Sequence, residues 1–293
     1  MHGLGLRGLT CALLLASAPG VAAASPWTRD AGGLYLNLSY ARIAASSYFG
    51  PNGGKPAIGA DYTQQTLGLY AEIGLQERWL TALCDWQLVR SASLSDGPSA
   101  AGVGDLRLGA ASGLLVAPFR LTATLLLGLP VGDPAPGVGG DLATGGGDLT
   151  LEAHLAAGHS LVLGPVGLYG ILDAGFRKRG LASRDGTMPT PATTRYADEL
   201  LYLAELGAQI RKPGFDRVWL AVRSNGLDSL AADRDIVDGY SGLRPGTRYT
   251  GLGIALDARV VATWHVGGEV DSALDARLVP AGAALKLYLA FER

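Results

Sequence analysis

Residues 102–130, GVGDLRLGAASGLLVAPFRLTATLLLGLP, alternate between apolar and polar positions with a period of two, which is the period of a β-strand. Leu106, Leu108, Ala110 and Leu114 fall on one face, and Asp105, Arg107, Gly109, Ala111 and Gly113 on the other. After Val116, Ala117 and Pro118 the alternation resumes in opposite phase. Phe119, Leu121, Ala123, Leu125 and Leu127 then stand against Arg120, Thr122, Thr124 and Gly128. The pattern predicts a hairpin of two strands of roughly ten residues each. A tilted strand needs ~9–11 residues to cross a bilayer, whereas strands in soluble sheets average ~5–6.

One hairpin does not separate a membrane barrel from a soluble sandwich, but repetition does. The alternation recurs in twelve segments: 33–43, 66–75, 79–89, the two strands of the hairpin, 148–158, 166–177, 198–211, 217–225, 249–259, 263–271 and 281–291. Short connections alternate with long polar ones, such as residues 46–62 and 178–197, as in outer-membrane barrels with short periplasmic turns and longer outer loops. An even strand number places both termini on the periplasmic side. Trp79, Phe119, Phe215, Trp264 and Phe291 lie near the short turns as an interfacial aromatic belt. A soluble sandwich does not call for a dozen strands this long. The expected fold is therefore all-β: one transmembrane antiparallel β-barrel of about twelve strands, of the Gram-negative outer-membrane type.

The start of the chain agrees with export. Arg7, an apolar run over residues 9–18 and the small residues Ala22, Ala23 and Ala24 form a secretory signal over residues 1–24, ahead of a barrel over 25–293. Cys11 lies in this leader, so Cys84 alone remains and no internal disulfide is expected. Of 24 Lys+Arg, removal of Arg7 leaves 23 against 26 Asp+Glu, a balance that argues against a nucleic-acid partner. The chain carries 43 glycines, and after the leader it has no apolar run of about eighteen residues that would make a transmembrane helix. The expected location is the outer membrane. Its lipid and lipopolysaccharide, the barrel-assembly machinery and a small-molecule solute are the expected partners, and no cofactor is expected.

With the apolar face toward lipid, the polar face defines an interior. Its charged candidates are Glu72, Asp85, Asp105, Arg107, Arg120, Glu152, His154, Asp173, Arg177, Glu205, Arg211, Arg223, Asp257, Arg259, Glu269, Asp271 and Lys286. A Lys or Arg facing lipid at the midplane costs ~2–4 kcal/mol, which enforces this sorting. Acids and bases are mixed on neighbouring strands. They suit either a salt-bridge network filling a small lumen or a conducting path whose selectivity they set. Leu201, Leu203 and Trp219 also fall on the polar face; they make part of a path apolar, or they mark a slip of phase.

Catalytic patterns are weak. His159 and Ser160 are adjacent and point to opposite sides of a strand, and His154 and His265 share their faces with carboxylates but no nucleophile. No enzyme activity is expected. His265, Glu269 and Asp271 are too widely spaced along one strand to share an ion unaided, since same-face neighbours lie ~6.6 Å apart. Asp233, Asp235 and Asp238 read as an acidic solvated loop, and the glycine-rich stretch before Asp148 reads as a flexible hairpin end with no helix to make a phosphate cradle.

GVGDLRLGA at 102–110, LLLGLPVG at 125–132, the following GGGDLTLEAHLAAG and the turn GLQERW at 74–79 resemble the outer-membrane β-barrel family labelled "MetA-pathway of phenol degradation". The resemblance implies uptake of aromatic or other apolar small molecules, and its motifs are architectural. Such barrels usually finish on an aromatic residue, whereas here Phe291 is followed by Glu292 and Arg293. The expected function is passive passage of small, apolar or aromatic molecules. The alternatives are a closed barrel acting through its outer loops and a lipid-modifying enzyme using His159 with Ser160.

Overall fold

The computed structural model describes residues 26–134, 142–182, 196–210, 218–231 and 246–293. Its strands, in chain order, are β1 (Leu34–Phe49), β2 (Ala57–Gln76), β3 (Leu80–Leu94), β4 (Ser99–Gly102), β5 (Leu106–Leu115), β6 (Arg120–Leu129) and β7 (Thr150–Leu163). They continue as β8 (Val166–Lys178), β9 (Glu199–Ile210), β10 (Val218–Ser229), β11 (Arg248–Val261), β12 (Trp264–Arg277), β13 (Val279–Pro280) and β14 (Ala283–Glu292). Apart from the short β4 and β13, which pair with β3 and β1 at the rim, these strands make a wall of twelve. All wall neighbours are antiparallel, and the sheet closes because β1 pairs with both β2 and β14. Hydrocarbon offers no hydrogen-bond partners to a free strand edge, so closure is the condition for strands to cross it. The molecule is a transmembrane antiparallel barrel of the outer-membrane type.

The side chains sort as a bilayer requires. Along β7, Thr150, Glu152, His154, Ala156 and Gly158 are buried while Leu151, Ala153, Leu155 and Ala157 are exposed. The outward leucines continue round the wall through Leu125, Leu172, Leu220 and Leu287 to Leu206, which is 73 % exposed. At the end with the short turns, Trp79 and Phe119 stand out, and Trp264 meets Phe291 edge-on at 5.2 Å. Phe215 lies outside the described residues.

Strand lengths are unequal. β5 and β6 have ten residues each, while β2 has twenty. The stretch 46–62, expected as one polar loop, is largely strand: β1 runs to Phe49 and β2 begins at Ala57. Pairing above the bilayer needs no lipid-facing apolar stripe, so the sequence there lost the alternation that marks a span. A second difference lies in β3, where Leu67 pairs with Val89 and Gly68 with Gln87, leaving Leu88 as an extra residue. Such a bulge reverses the phase beyond it: Val89 is exposed and Arg90 is buried inside.

Residues 26–33, before β1, turn back into the barrel at the short-turn end. Gly32 N–H donates to Gly74 O at 2.8 Å, and Arg29 N–H to Thr81 Oγ1 on β3 at 2.9 Å. Thr28 Oγ1 donates to Arg78 O at 2.6 Å. At the far end Thr122 Oγ1 on β6 donates to Pro26 O at 2.9 Å, and Trp27 meets Tyr169 on β8 edge-on at 6.1 Å. The segment thus leads from the β1 seam to the opposite wall, inside the lumen. Nothing in the alternation of the sequence marked it.

Two glycines show what the glycine content does. Tyr169 pairs in register with Gly207, and Tyr288 with Gly267. Each tyrosine ring lies over its glycine so closely that an added Cβ would stand 2.1 Å from the ring's Cζ. Gly267→Val should therefore displace Tyr288 at a cost of ~1–3 kcal/mol. The check is the temperature at which the folded barrel loses its compact gel mobility, which should fall for Gly267→Val and stay put for Gly54→Ala, a position with open space around it.

Candidate functional site: the barrel interior

The inner face carries its charges in connected groups. In the first, Arg107 on β5 pairs with Asp85 on β3 and lies 3.5 Å from Glu152 on β7. Arg177 on β8 lies 2.9 Å from Glu152, and its Nη1 donates to Glu199 on β9 at 2.6 Å. Arg179, just beyond β8, donates to Glu199 at 3.0 Å and forks onto Asp148 at 2.7 and 3.1 Å. Burial alone would lower the Arg179 pKa, but Glu199 and Asp148 outweigh it and raise it. His154 sits between Asp173 and Glu152, at 3.2 and 3.5 Å. The alternation of β7, β8 and β9 aims these side chains inward, and antiparallel register sets Glu152 opposite Arg177 and Arg177 opposite Glu199.

A second group lies on β9, β10 and β12. Arg223 bridges Glu205 at 2.9 Å and Glu269 at 2.8 Å, and Tyr169 donates to Glu205 at 2.7 Å. Asp271 follows Glu269 on the same face, and Lys286 stands opposite Glu269 on β14. A third group gathers toward the short-turn end. His265 Nδ1 lies 2.9 Å from Asp257, to which Tyr288 donates at 2.9 Å. Arg259 lies over the Trp219 ring at 5.4 Å, so Trp219 points inward. Glu72 accepts from Tyr70 at 2.7 Å and from Arg29 of the threaded segment at 2.5 Å.

Part of the interior is apolar. Phe49, Leu201, Leu227, Tyr249, Ala273, Ala276 and Val279 form one buried cluster, and Leu203, also buried, lies next to it along β9. The register of β9 with β8 and β10 runs without a shift, so Leu201 and Leu203 face inward without a slip of phase.

Several candidates stand elsewhere than the simple alternation put them. Asp105 lies just before β5, where the backbone still bonds Gln87 of β3, but its carboxylate serves loop amides and not a charged partner, accepting from Gly132 N–H at 3.1 Å and Gly146 N–H at 2.7 Å. Burial raises its pKa, against these two amides, which lower it. Arg120 opens β6 beside the short turn and is partly exposed. Arg211, Asp233, Asp235 and Asp238 lie outside the described residues. The glycine-rich stretch expected as a loose hairpin end is packed inward where it is described. Leu142 joins Tyr62 and Ala92 in a buried cluster, Thr144 is buried, and Gly145 approaches Gly132 closely. Small residues permit this approach, which repeated Gly in a sequence signals only as turn-forming.

The sequence also missed Arg90, whose Nη2 donates to Gln64 at 2.9 Å beside Tyr62, because the β3 bulge hides its phase. His159 Nδ1 is 3.1 Å from Pro118 O and its ring is 4.7 Å from Phe119, while the neighbouring Ser160 is exposed.

Two outcomes follow from this geometry. Glu152→Ala removes the carboxylate shared by Arg107, Arg177 and His154, and should destabilise the barrel by ~3–5 kcal/mol, as for other broken buried pairs, read by urea unfolding. Asp105→Ala should release the tether on residues 132 and 146, so that added protease cuts within residues 130–149 faster while the gel mobility of the barrel is kept.

No protein-family model and no curated protein matches the chain. Among solved structures, an outer membrane channel from Pseudomonas putida F1 aligns at 18 % identity over 94 % of this chain and 100 % of its own, with a TM-score of 0.62. The beta domain of the Bordetella autotransporter BrkA aligns at 13 % identity over 90 % and 100 %, with a TM-score of 0.52. At these identities the likeness is one of fold, and both are similar to this chain as outer-membrane barrels.

Proposed function

We propose that the chain is an outer-membrane channel that passes small molecules, apolar or aromatic ones among them, along the inner wall of its barrel. The observation that carries this reading is the make-up of the lumen. A barrel with a purely structural role can fill its interior with wall side chains. This one instead holds a separate segment, residues 26–33, between its opposite walls at the end we take to be periplasmic. Around that segment stand tyrosines whose hydroxyls are bound to carboxylates, leaving the ring faces to the interior. The apolar cluster about Leu201 and Tyr249 lies toward the opposite, outer rim. An apolar solute would find this surface beside Glu199, Arg177 and Arg179, whose mutual pairing removes much of the cost of contact with them.

The P. putida neighbour is described as an outer membrane channel, which favours the same class of activity. The motif resemblance to the phenol-degradation barrels favours an aromatic solute. His159 and Ser160 do not make a nucleophile–base pair here, because His159 is engaged with Pro118 O and Phe119. We therefore assign no catalytic role.

Single-channel recording of the refolded protein in a planar bilayer tests the proposal, with Arg107→Ala as the comparison. Small ohmic steps are expected, and their conductance should change with Arg107→Ala, since Arg107 joins two of the inner acids. Silence from a folded barrel, both as wild type and with residues 26–30 deleted, would overturn the channel reading in favour of a closed barrel acting through its outer loops.

A further inference from the structure

We propose that Glu292 is a positioning residue: it clamps the threaded segment into the lumen through Arg29, so that the two residues after Phe291 set how far the lumen is obstructed. The backbone places Glu292 at the closing seam. It ends β14 in register with Tyr35 of β1, its N–H donates to Thr263 O at 2.8 Å, and Arg293 and Leu34 exchange two hydrogen bonds of 2.8 Å. The residue at which the threaded segment joins the wall is therefore paired directly with the residue after Glu292.

The side chain completes the connection. Arg29 Nη1 donates to Glu292 Oε1 at 2.5 Å and Arg29 Nε to Glu72 Oε2 at 2.5 Å, so one guanidinium joins β14 to β2 across β1. It also lies 4.7 Å over the Tyr35 ring of β1. The other oxygen of Glu292 is 3.5 Å from His265 Nε2. Farther along the segment, Thr122 holds Pro26 by a hydrogen bond, Pro26 packs against Gly158, and Trp27 meets Tyr169 edge-on. Charge fixes the segment at two points: Asp30 accepts from Arg78 Nε at 2.9 Å with both side chains more than half exposed, and Arg29 is the point where a charge is held inside the barrel.

Its two carboxylates differ. The Glu72 side chain is 3 % exposed and that of Glu292 41 %, so water and salt reach the Glu292 grip and not the Glu72 grip. Salt screens exposed pairs far more than buried ones. The clamp therefore loosens at Glu292 first, while Glu72 keeps Arg29 inside the barrel.

The test measures the position of the segment itself, independently of transport. In Cys84→Ser protein carrying Trp27→Cys, reconstituted in vesicles, the rate of reaction with a bulky water-soluble maleimide is followed. Glu292→Gln should raise that rate about two- to fivefold, the range expected for one partly exposed ion pair, and raised salt should do the same in the parent but not in the variant. Gel mobility verifies that the seam has closed. Arg29→Gln, which leaves β14 untouched, should give an increase at least as large. An unchanged rate in folded Glu292→Gln and Arg29→Gln proteins would overturn the clamp. The conductance arm rests on the channel reading: Glu292→Gln should favour larger steps, and should add nothing once residues 26–30 are deleted. Larger steps from the deletion but none from Glu292→Gln would refute the clamp alone; silence from both, with faster labelling, would refute the channel alone.

Discussion

Backbone pairing without an edge is the constraint on which the rest depends. Within hydrocarbon each unpaired N–H or C=O costs several kcal/mol, so the wall must return on itself, and here it returns where β1 meets β14. Closure fixes the register all the way round, and register decides which charges meet inside. Glu152 opposite Arg177 and Arg177 opposite Glu199 are consequences of pairing first and of electrostatics second. The same seam fixes the origin of the threaded segment, because Leu34, where β1 starts, is tied to Arg293.

The interior is therefore a product of alternation, and its charges are largely neutralised by one another. Each arginine of the β5–β9 group faces at least two carboxylates. Such a network stiffens the wall, and the lumen it leaves is divided between the short-turn end, rich in tyrosine and tryptophan, and the apolar cluster on β9–β12 nearer the other rim. Two inward-folded pieces, residues 26–33 at one end and 142–149 at the other, stand between those regions and the water outside.

What was legible in the sequence was what the bilayer imposes. Where a strand faces lipid on one side, every second residue must be apolar, so β5, β6 and β7 could be read almost residue by residue, and Glu152, His154 and Asp173 with them. The sequence was silent where that constraint lapses. Above the bilayer β1 and β2 continue without the pattern, and beyond the Leu88 bulge Arg90 changes face. Asp105 keeps the alternation and its backbone contact with β3, but its carboxylate serves the amides of Gly132 and Gly146, which no periodicity announces. Residues 26–33 lie inside the barrel, where no periodicity applies, and Pro26, Trp27, Arg29 and Asp30 among them hint at packing and charge. The pairing of Glu292 with Arg29 joins residues 263 positions apart, a contact no local pattern reveals.

The central claim is that the threaded segment obstructs a usable path and moves to open it. Gly158 is the position to exploit, since an added Cβ there would lie 3.0 Å from Pro26 Cβ, close enough for a disulfide with slight adjustment. With Pro26→Cys and Gly158→Cys in a Cys84→Ser background, conductance is recorded first oxidised and then after reduction in the same bilayer. The account predicts low, steady conductance while the bridge is closed and larger, fluctuating steps once it is reduced. Equal conductance in the two states, with the bridge shown to have formed, would contradict it.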